Sequence, residues 1–318
     1  MEAATLPLMR VALCQIAPVF LDREATLNKA VDALSEAARE GAQLAVFGEV
    51  MVPGYPIWIE RTGGAAFDDP VQKAWHARYL ANGVDIENGD LEAVQEAARQ
   101  HNMAVVVGVA ERPMERGGNT LYCSCVTIGP TGEVWSVHRK LMPTYEERLA
   151  WGVGDGHGLQ VHDLHGFRLG SLNCWENWMP LARHALQAQG ETLHCAIWPG
   201  RLANTQDITR FAAREGRSYV VSVAAPLRLS DLPEDLPGRD TLGLDPHGWV
   251  HDGGSCVAGP DGEWTLEPVV DTEGILYADL DVQRVREERQ NFDPVGHYSR
   301  PEVLGLRLDR RRHRVLDD

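Results

Sequence analysis

Three side chains that could cooperate in hydrolysis each follow an apolar, strand-like stretch. Cys174 follows FRLGSLN, Glu49 follows LAVFG, and Lys140 ends EVWSVHRK. A thiol is a nucleophile once a base removes its proton, a carboxylate can be that base, and an ammonium stabilises developing negative charge. Alone, such a glutamate is more often a capping residue and such a lysine a surface residue, whereas a lone cysteine is as often structural as catalytic. Their recurrence at three strand ends favours a shared site.

The base for such a cysteine is usually a histidine, and the sequence contains 12 histidines. None of them sits in a recognisable Cys/His protease setting, so Glu49 is the alternative base. It stands at the carboxyl end of a strand, where open α/β sheets bind ligands. The turn after Cys174 is expected to lower the pKa of the thiol and to provide backbone N–H groups for an oxyanion.

The elements that carry these side chains alternate between strands and helices. Apolar runs predict strands at 10–17, 44–47, 104–110, 167–173, 194–198 and 219–225. Helical patterns predict helices at about 23–40, 91–100, 180–189 and 207–215. Two similar turns, GPTG at 129–132 and GPDG at 259–262, each join an antiparallel hairpin. This pattern predicts an α/β fold of two sheets packed on each other with helices outside.

Composition and charge exclude several classes of protein. The 318 residues are 44 % hydrophobic and 24 % charged, which is typical of a globular protein with a sizeable core. The net charge of −16 repels phosphate backbones and anionic lipids, so neither nucleic acid nor a membrane is an expected partner. The basic cluster 307–314 is expected to be a solvated tail or a subunit contact. The long irregular segment 226–254 is expected to be functional.

Targeting signals and metal motifs are not apparent in the sequence. The N-terminal apolar stretch has no basic region before it, and no apolar run reaches the roughly 18 residues of a membrane helix, so we expect a cytoplasmic protein. The six cysteines are then free thiols. Cys123 and Cys125 do not indicate zinc, because no second pair of ligands is visible.

Four blocks of sequence carry a family resemblance. They are VFGEVMVPGYP around Glu49, HRKLMPTYEERLAWGVGDG around Lys140, SLNCWENWMPLARHAL around Cys174 and FDPVGHYSRPEVL at 292–304. Together they resemble the nitrilase superfamily, and within it the nitrile-hydrolysing branch, over about residues 10–304. The resemblance implies Cys174 as nucleophile, Glu49 as general base, Lys140 as electrophilic stabiliser and Glu147 as a second, orienting glutamate.

The same resemblance implies the fold and the assembly. The expected fold is a four-layer α-β-β-α sandwich of two mixed sheets with outer helices, in one carbon–nitrogen hydrolase domain over 1–304 with a basic tail over 305–318. Family members pair through helices across a two-fold axis, so a homodimer or larger homo-oligomer is expected. We further expect the block 292–304 to cross to a neighbouring subunit or to pack beneath the site.

The activity implied is that of a nitrilase, which converts an organic nitrile to a carboxylic acid and ammonia through a cysteine thioimidate and thioester. Neither a metal nor an organic cofactor is expected. An amidase or N-carbamoyl hydrolase with the same Glu-Lys-Cys residues remains the alternative, and a non-catalytic binding protein is a more distant one. Aromatic side chains near the strand ends are candidates either for substrate binding or for core packing: Tyr55, Trp58, Trp175 and Trp198.

Overall fold

Two six-stranded sheets form the centre of the fold in the computed structural model, which describes residues 8–242 and 248–315. In chain order the strands are β1 (Met9–Gln15), β2 (Leu44–Phe47), β3 (Ala104–Glu111), β4 (Tyr122–Ile128), β5 (Val134–Arg139), β6 (His162–Leu164), β7 (Phe167–Asn173), β8 (Leu193–Trp198), β9 (Tyr219–Ala224), β10 (Leu227–Arg228), β11 (Trp249–His251), β12 (Gly253–Ala258), β13 (Trp264–Val270) and β14 (Gly274–Leu280). The α-helices are α1 (Arg23–Arg39), α2 (Pro70–Ala81), α3 (Glu92–His101), α4 (Pro180–Gln187), α5 (Leu202–Gly216) and α6 (Val282–Glu288).

The two sheets repeat one topology. The first has the strand order β14-β1-β2-β3-β4-β5, and the second has the order β13-β12-β9-β8-β7-β6. In each sheet the three central strands are parallel, β1-β2-β3 and β7-β8-β9, and the flanking strands are antiparallel. Both sheets are therefore mixed, as the alternation of βα units and hairpins predicted.

Side-chain alternation along the strands produces the layers. On β1, Val11 and Leu13 belong to the apolar cluster between the two sheets, whereas Ala12 and Cys14 belong to the cluster under α1 and α3. On the other side of the molecule, buried residues of α4 and α5 pack on the outer face of the second sheet. Because a strand's side chains point alternately to opposite faces, each sheet has one face toward helices and one toward its partner. The four-layer α-β-β-α sandwich is confirmed.

Several elements differ from the sequence-based expectations where the apolar pattern is weak. The helix α2 was not predicted, because only Trp75 and Tyr79 of its side chains are buried. The strand β14 was also not predicted, because most of its side chains are only partly buried. It pairs antiparallel with β1 at the edge of the first sheet. The helix α5 begins at Leu202 rather than near 207.

The irregular segment and the tail have partial structure. Within 226–254, β10 pairs antiparallel with β11, and residues 243–247 lie outside the described residues. In the tail, Arg312 donates to Asp155 at 3.1 Å and to the Val137 carbonyl at 2.8 Å. This part of the tail therefore lies on the chain's own surface, instead of extending into solvent, because a buried carboxylate pairs with its arginine.

Among the described helices, none has the length and apolar character needed to span a membrane.

Candidate active site

The ends of three strands bring the predicted residues together. Glu49 follows β2, Lys140 follows β5 directly, and Cys174 follows β7 directly. The two sheets touch here, because the Glu49 N–H donates to the Trp198 carbonyl at 3.0 Å. This approach requires Gly48, where a Cβ would lie 3.0 Å from the Trp198 carbonyl oxygen. The fold thus places a base, a cation and a thiol from both sheets at one location.

Lys140 is a buried cation held between two carboxylates. Its Nζ donates to Glu49 Oε1 at 2.8 Å and to Glu147 Oε2 at 2.7 Å, and the lysine side chain is fully inaccessible to solvent. The Nζ also lies 5.6 Å from the centre of the Trp151 ring, within reach of a cation–π interaction. Burial would lower the pKa of Lys140, but the surrounding acidic groups hold it well above its usual value. The lysine therefore stays protonated.

Glu147 is fixed from both sides. The Tyr55 hydroxyl donates to Oε1 at 3.1 Å, and the backbone N–H of Thr144 donates to Oε2 at 2.7 Å. The sequence indicated Tyr55 as a candidate for substrate binding or for core packing and did not indicate this contact with Glu147. Since Oε2 also accepts from Lys140, Glu147 is placed to orient the ammonium.

Glu49 has one committed oxygen and one open oxygen. Its Oε1 accepts from Lys140 and from the Cys123 thiol at 3.3 Å, whereas its buried Oε2 has no hydrogen-bond partner among the described residues. Burial raises the pKa of Glu49 to about 7, with Lys140 opposing the shift and Glu147 adding to it. A carboxyl group with a pKa near neutrality can both accept and return a proton.

Cys174 lies on a strained turn beside this pair. Its φ of +46° falls in the left-handed region, which is unusual for a residue with a side chain. The Sγ of Cys174 and one carboxylate oxygen each of Glu49 and Glu147 lie within 4.8 Å of one another. Burial, followed by the charge of Glu49, raises the thiol pKa well above its usual value despite the opposing charge of Lys140. The expectation of a lowered thiol pKa is wrong, because burial outweighs the N–H groups of this turn.

The same three donor groups could be considered as a metal site. The Lys140 ammonium contacts both carboxylates directly and repels a divalent cation there. The arrangement is better suited to proton transfer and to charge stabilisation than to metal binding. The absence of a metal cofactor stays a prediction.

A cavity of about 310 Å³ opens over the cysteine. Tyr55, Glu147, Cys174 and Trp175 line it. Trp175 is about half exposed at the rim, so it remains a candidate to contact substrate.

Two other aromatic candidates lie elsewhere. Trp58 packs edge-on against Tyr79 with ring centres 5.1 Å apart, and Trp198 is buried in the cluster between the second sheet and α5. Neither belongs to the described lining of the cavity. Of the two alternatives for these aromatic side chains, core packing therefore applies to Trp58 and Trp198.

Sequence relatives are found over nearly the whole chain. The sequence model of the carbon–nitrogen hydrolase family matches residues 10–290. An aliphatic nitrilase of Rhodococcus rhodochrous is 36 % identical over 95 % of this chain and 83 % of its own length. An arylacetonitrilase of Aspergillus kawachii is 34 % identical over 95 % and 92 %, and nitrilase 2 of Arabidopsis thaliana is 35 % identical over 96 % and 90 %.

Solved structures share the fold at lower sequence identity. A carbon–nitrogen hydrolase from Helicobacter pylori G27 has a TM-score of 0.69 and 20 % identity, covering 93 % of this chain and 96 % of its own. An amidase from a Nesterenkonia species has a TM-score of 0.61 and 21 % identity, covering 92 % and 98 %. The fold, the family match and the relatives agree: the chain belongs to the carbon–nitrogen hydrolase family, the nitrilase superfamily, and is a hydrolase that acts on carbon–nitrogen bonds.

Proposed function

We propose that this enzyme is a nitrilase that hydrolyses an organic nitrile to the carboxylic acid and ammonia. The observation that carries the proposal is the buried Cys174 thiol beside the open Oε2 of Glu49 and the paired ammonium of Lys140. The names of the sequence relatives, aliphatic nitrilase and arylacetonitrilase, support nitriles over amides as the substrate class.

The first step is attack of Cys174 on the nitrile carbon. The thiol is protonated at neutral pH because burial raises its pKa, so its proton must leave as the carbon–sulfur bond forms. Glu49 accepts this proton at Oε2 and passes it to the nitrile nitrogen, which gives a covalent thioimidate and leaves Glu49 ionised again. The Lys140 ammonium and the Trp175 N–H stabilise negative charge as it develops.

Two water molecules complete the reaction. Glu49 takes a proton from the first water as it adds to the thioimidate carbon and passes it to the nitrogen. Transfer of the remaining hydroxyl proton to the nitrogen by the same carboxylate lets the tetrahedral species expel ammonia and leaves a thioester. The second water adds to the thioester, and breaking the carbon–sulfur bond releases the acid and restores the thiol. The balance is one nitrile and two waters to one carboxylic acid and one ammonia, with no redox change.

Glu147 acts on Lys140 rather than on the substrate. Its carboxylate is held by Tyr55 and Thr144, so the ammonium is held in turn at a fixed position next to Glu49. A preorganised cation costs no reorganisation when negative charge appears, which is the main source of electrostatic catalysis.

Assembly and location belong to the same proposal. The block 292–304 lies near α4, with a cavity of about 640 Å³ between them that Leu181 and Leu304 line. These two side chains are 68 % and 79 % exposed, which supports a homodimer or larger homo-oligomer that covers them. The six described cysteines are free and buried, which supports a reducing compartment such as the cytoplasm.

Activity over a panel of aliphatic, aromatic and arylaliphatic nitriles tests the proposal. Ammonia, acid and amide are measured separately, and each nitrile is paired with its amide. The expected result is acid and ammonia from at least one nitrile, with Cys174→Ala inactive on the same substrate. Hydrolysis of the amides alone would contradict the proposal and establish the amidase alternative.

A further inference from the structure

We propose that Glu176 is a positioning residue that fixes the distance between Lys140 and Cys174. It lies in the CWEN block, two residues after the cysteine, and its side chain is fully buried. Its carboxylate joins the segment after β5, which carries the lysine, to the turn after β7, which carries the cysteine. The inference concerns the same site as the proposed function, but its first test needs no substrate.

Each oxygen of Glu176 binds the backbone on one side of the site. The N–H of Leu141, the residue after Lys140, donates to Oε1 at 2.5 Å. The N–H of Asn173, the residue before Cys174, donates to Oε2 at 3.0 Å. One rigid carboxylate therefore spans the two peptide segments that hold the cation and the nucleophile.

A buried histidine completes the bridge. The Nε2 of His138 lies 3.1 Å from both oxygens of Glu176, and its side chain is 1 % exposed. Because both neighbours are carboxylate oxygens, Nε2 carries a hydrogen. His138 is on β5, two residues before Lys140, so it is a second link from the carboxylate to the lysine strand.

The charge on Glu176 depends on these donors. Burial alone would raise the pKa of the carboxyl group, but His138 and the two backbone N–H groups hold it below its usual value. A buried carboxylate is stable only when its oxygens are satisfied by donors, and all of these partners are donors. An amide at this position cannot satisfy them, since its NH₂ group must face a backbone N–H.

The bridge differs from the neighbouring contact of Asn177. That side chain donates to the Cys174 carbonyl at 2.8 Å and accepts from His194 on β8, so it supports the nucleophile turn within the second sheet only. Of these two side chains, only Glu176 contacts the strand and the following segment that carry Lys140. Misplacing a reacting group by about 1 Å can cost on the order of 100-fold in rate.

The first test is the pH profile of Cys174 alkylation by iodoacetamide in Glu176→Gln. The titratable groups around the thiol are Glu49, Lys140, Glu147 and the Tyr55 hydroxyl, and among them only the lysine carries a positive charge that favours the thiolate. Moving the ammonium away should shift the profile to higher pH by about 0.5 to 1 unit. On a nitrile substrate, kcat should fall about 10- to 100-fold while KM changes less than about 3-fold.

The matched control is Thr26→Val. The Thr26 hydroxyl is also buried and donates to Val19 and Asp22 carbonyls, so its loss removes buried hydrogen bonds at the start of α1, away from the site. Its melting temperature should fall while its alkylation profile and kcat stay those of the wild type. An alkylation profile in Glu176→Gln that matches the wild type would overturn the proposal. Wild-type inactivity on nitriles would instead refute only the proposed function.

The histidine provides a second pair of variants in case Glu176→Gln does not fold. His138→Gln keeps a side-chain N–H near the position of Nε2, whereas His138→Met has similar volume and no donor. We expect the glutamine variant to keep most of the wild-type kcat and alkylation profile, and the methionine variant to shift the profile in the same direction as Glu176→Gln. Equal behaviour of the two variants would contradict a positioning role.

Discussion

Replacing Glu49 with Gln tests whether the buried carboxyl group holds a proton at rest. Its pKa rises on folding from an ordinary 4.5 to about 7, chiefly because burial disfavours the ionised form. At about 1.4 kcal/mol for each tenfold change in the ionisation constant, ionising Glu49 costs about 3 kcal/mol more in the folded protein than in the unfolded chain. The amide has no proton to lose and does not incur this cost.

The direction in which the free energy of unfolding changes with pH follows from the protons bound in the folded and unfolded states. Between pH 4.5 and about 7 the folded protein holds a proton on Glu49 that the unfolded chain has released. The free energy of unfolding therefore falls as pH rises through this window, and the stabilising contribution is lost above a pH of about 7. From pH 5 to pH 8, wild type should lose about 2 to 3 kcal/mol more than Glu49→Gln.

The assay is urea unfolding followed by tryptophan fluorescence, at pH 5 and pH 8 and at one protein concentration. Other titrating groups are common to both proteins and cancel in the comparison. Equal changes for the two proteins would refute the reasoning, because they would mean that Glu49 is already ionised at pH 5. The same pKa predicts that kcat/KM of the wild type rises with pH through about 7, as the base becomes deprotonated.

Three further outcomes are expected. Lys140→Arg should lose kcat/KM nearly as completely as Lys140→Ala, because a planar guanidinium does not fit between two carboxylates that hold a compact ammonium at 2.7 and 2.8 Å; substantial activity of the arginine variant would remove Lys140 from the site. Glu147→Gln should lower kcat at least 10-fold and affect the melting temperature proportionately less, because the amide keeps one of the two accepting oxygens but no longer holds the ammonium with a charge; a proportionate loss of both would indicate a structural role. Truncation before Phe292 should reduce the particle mass by light scattering together with the rate, and unchanged values of both would contradict a role for this block in assembly.

The site residues could be predicted from the sequence where they come at the end of a strand. Cys174, Glu49 and Lys140 each end an apolar run, and a parallel arrangement brings such ends to one edge of the fold. The layers were predictable for the same reason, because the strands with strong apolar runs are the central strands of the two sheets. The strand β14 and the helix α2 were not predicted, since few of their side chains are buried.

The supporting contacts could not be predicted, because they join residues that are distant in sequence. Cys123 donates to Glu49 across 74 positions, Tyr55 to Glu147 across 92, and Leu141 to Glu176 across 35. The direction of the Cys174 pKa was predicted wrongly for a related reason. The local turn favours a thiolate, but burial by the whole fold opposes it more strongly.

Mass spectrometry of wild-type enzyme quenched with acid during turnover of a nitrile tests the central claim most directly. The peptide containing Cys174 should carry a mass increase equal to the thioimidate or acyl group of the substrate, and Cys174→Ala should show neither the adduct nor turnover. Peptides with the other cysteines should be unmodified, because those thiols are buried in strands and none of them lines the cavity, Cys123 included although it donates to Glu49. An adduct on any other cysteine, or turnover by Cys174→Ala above trace level, would contradict the account.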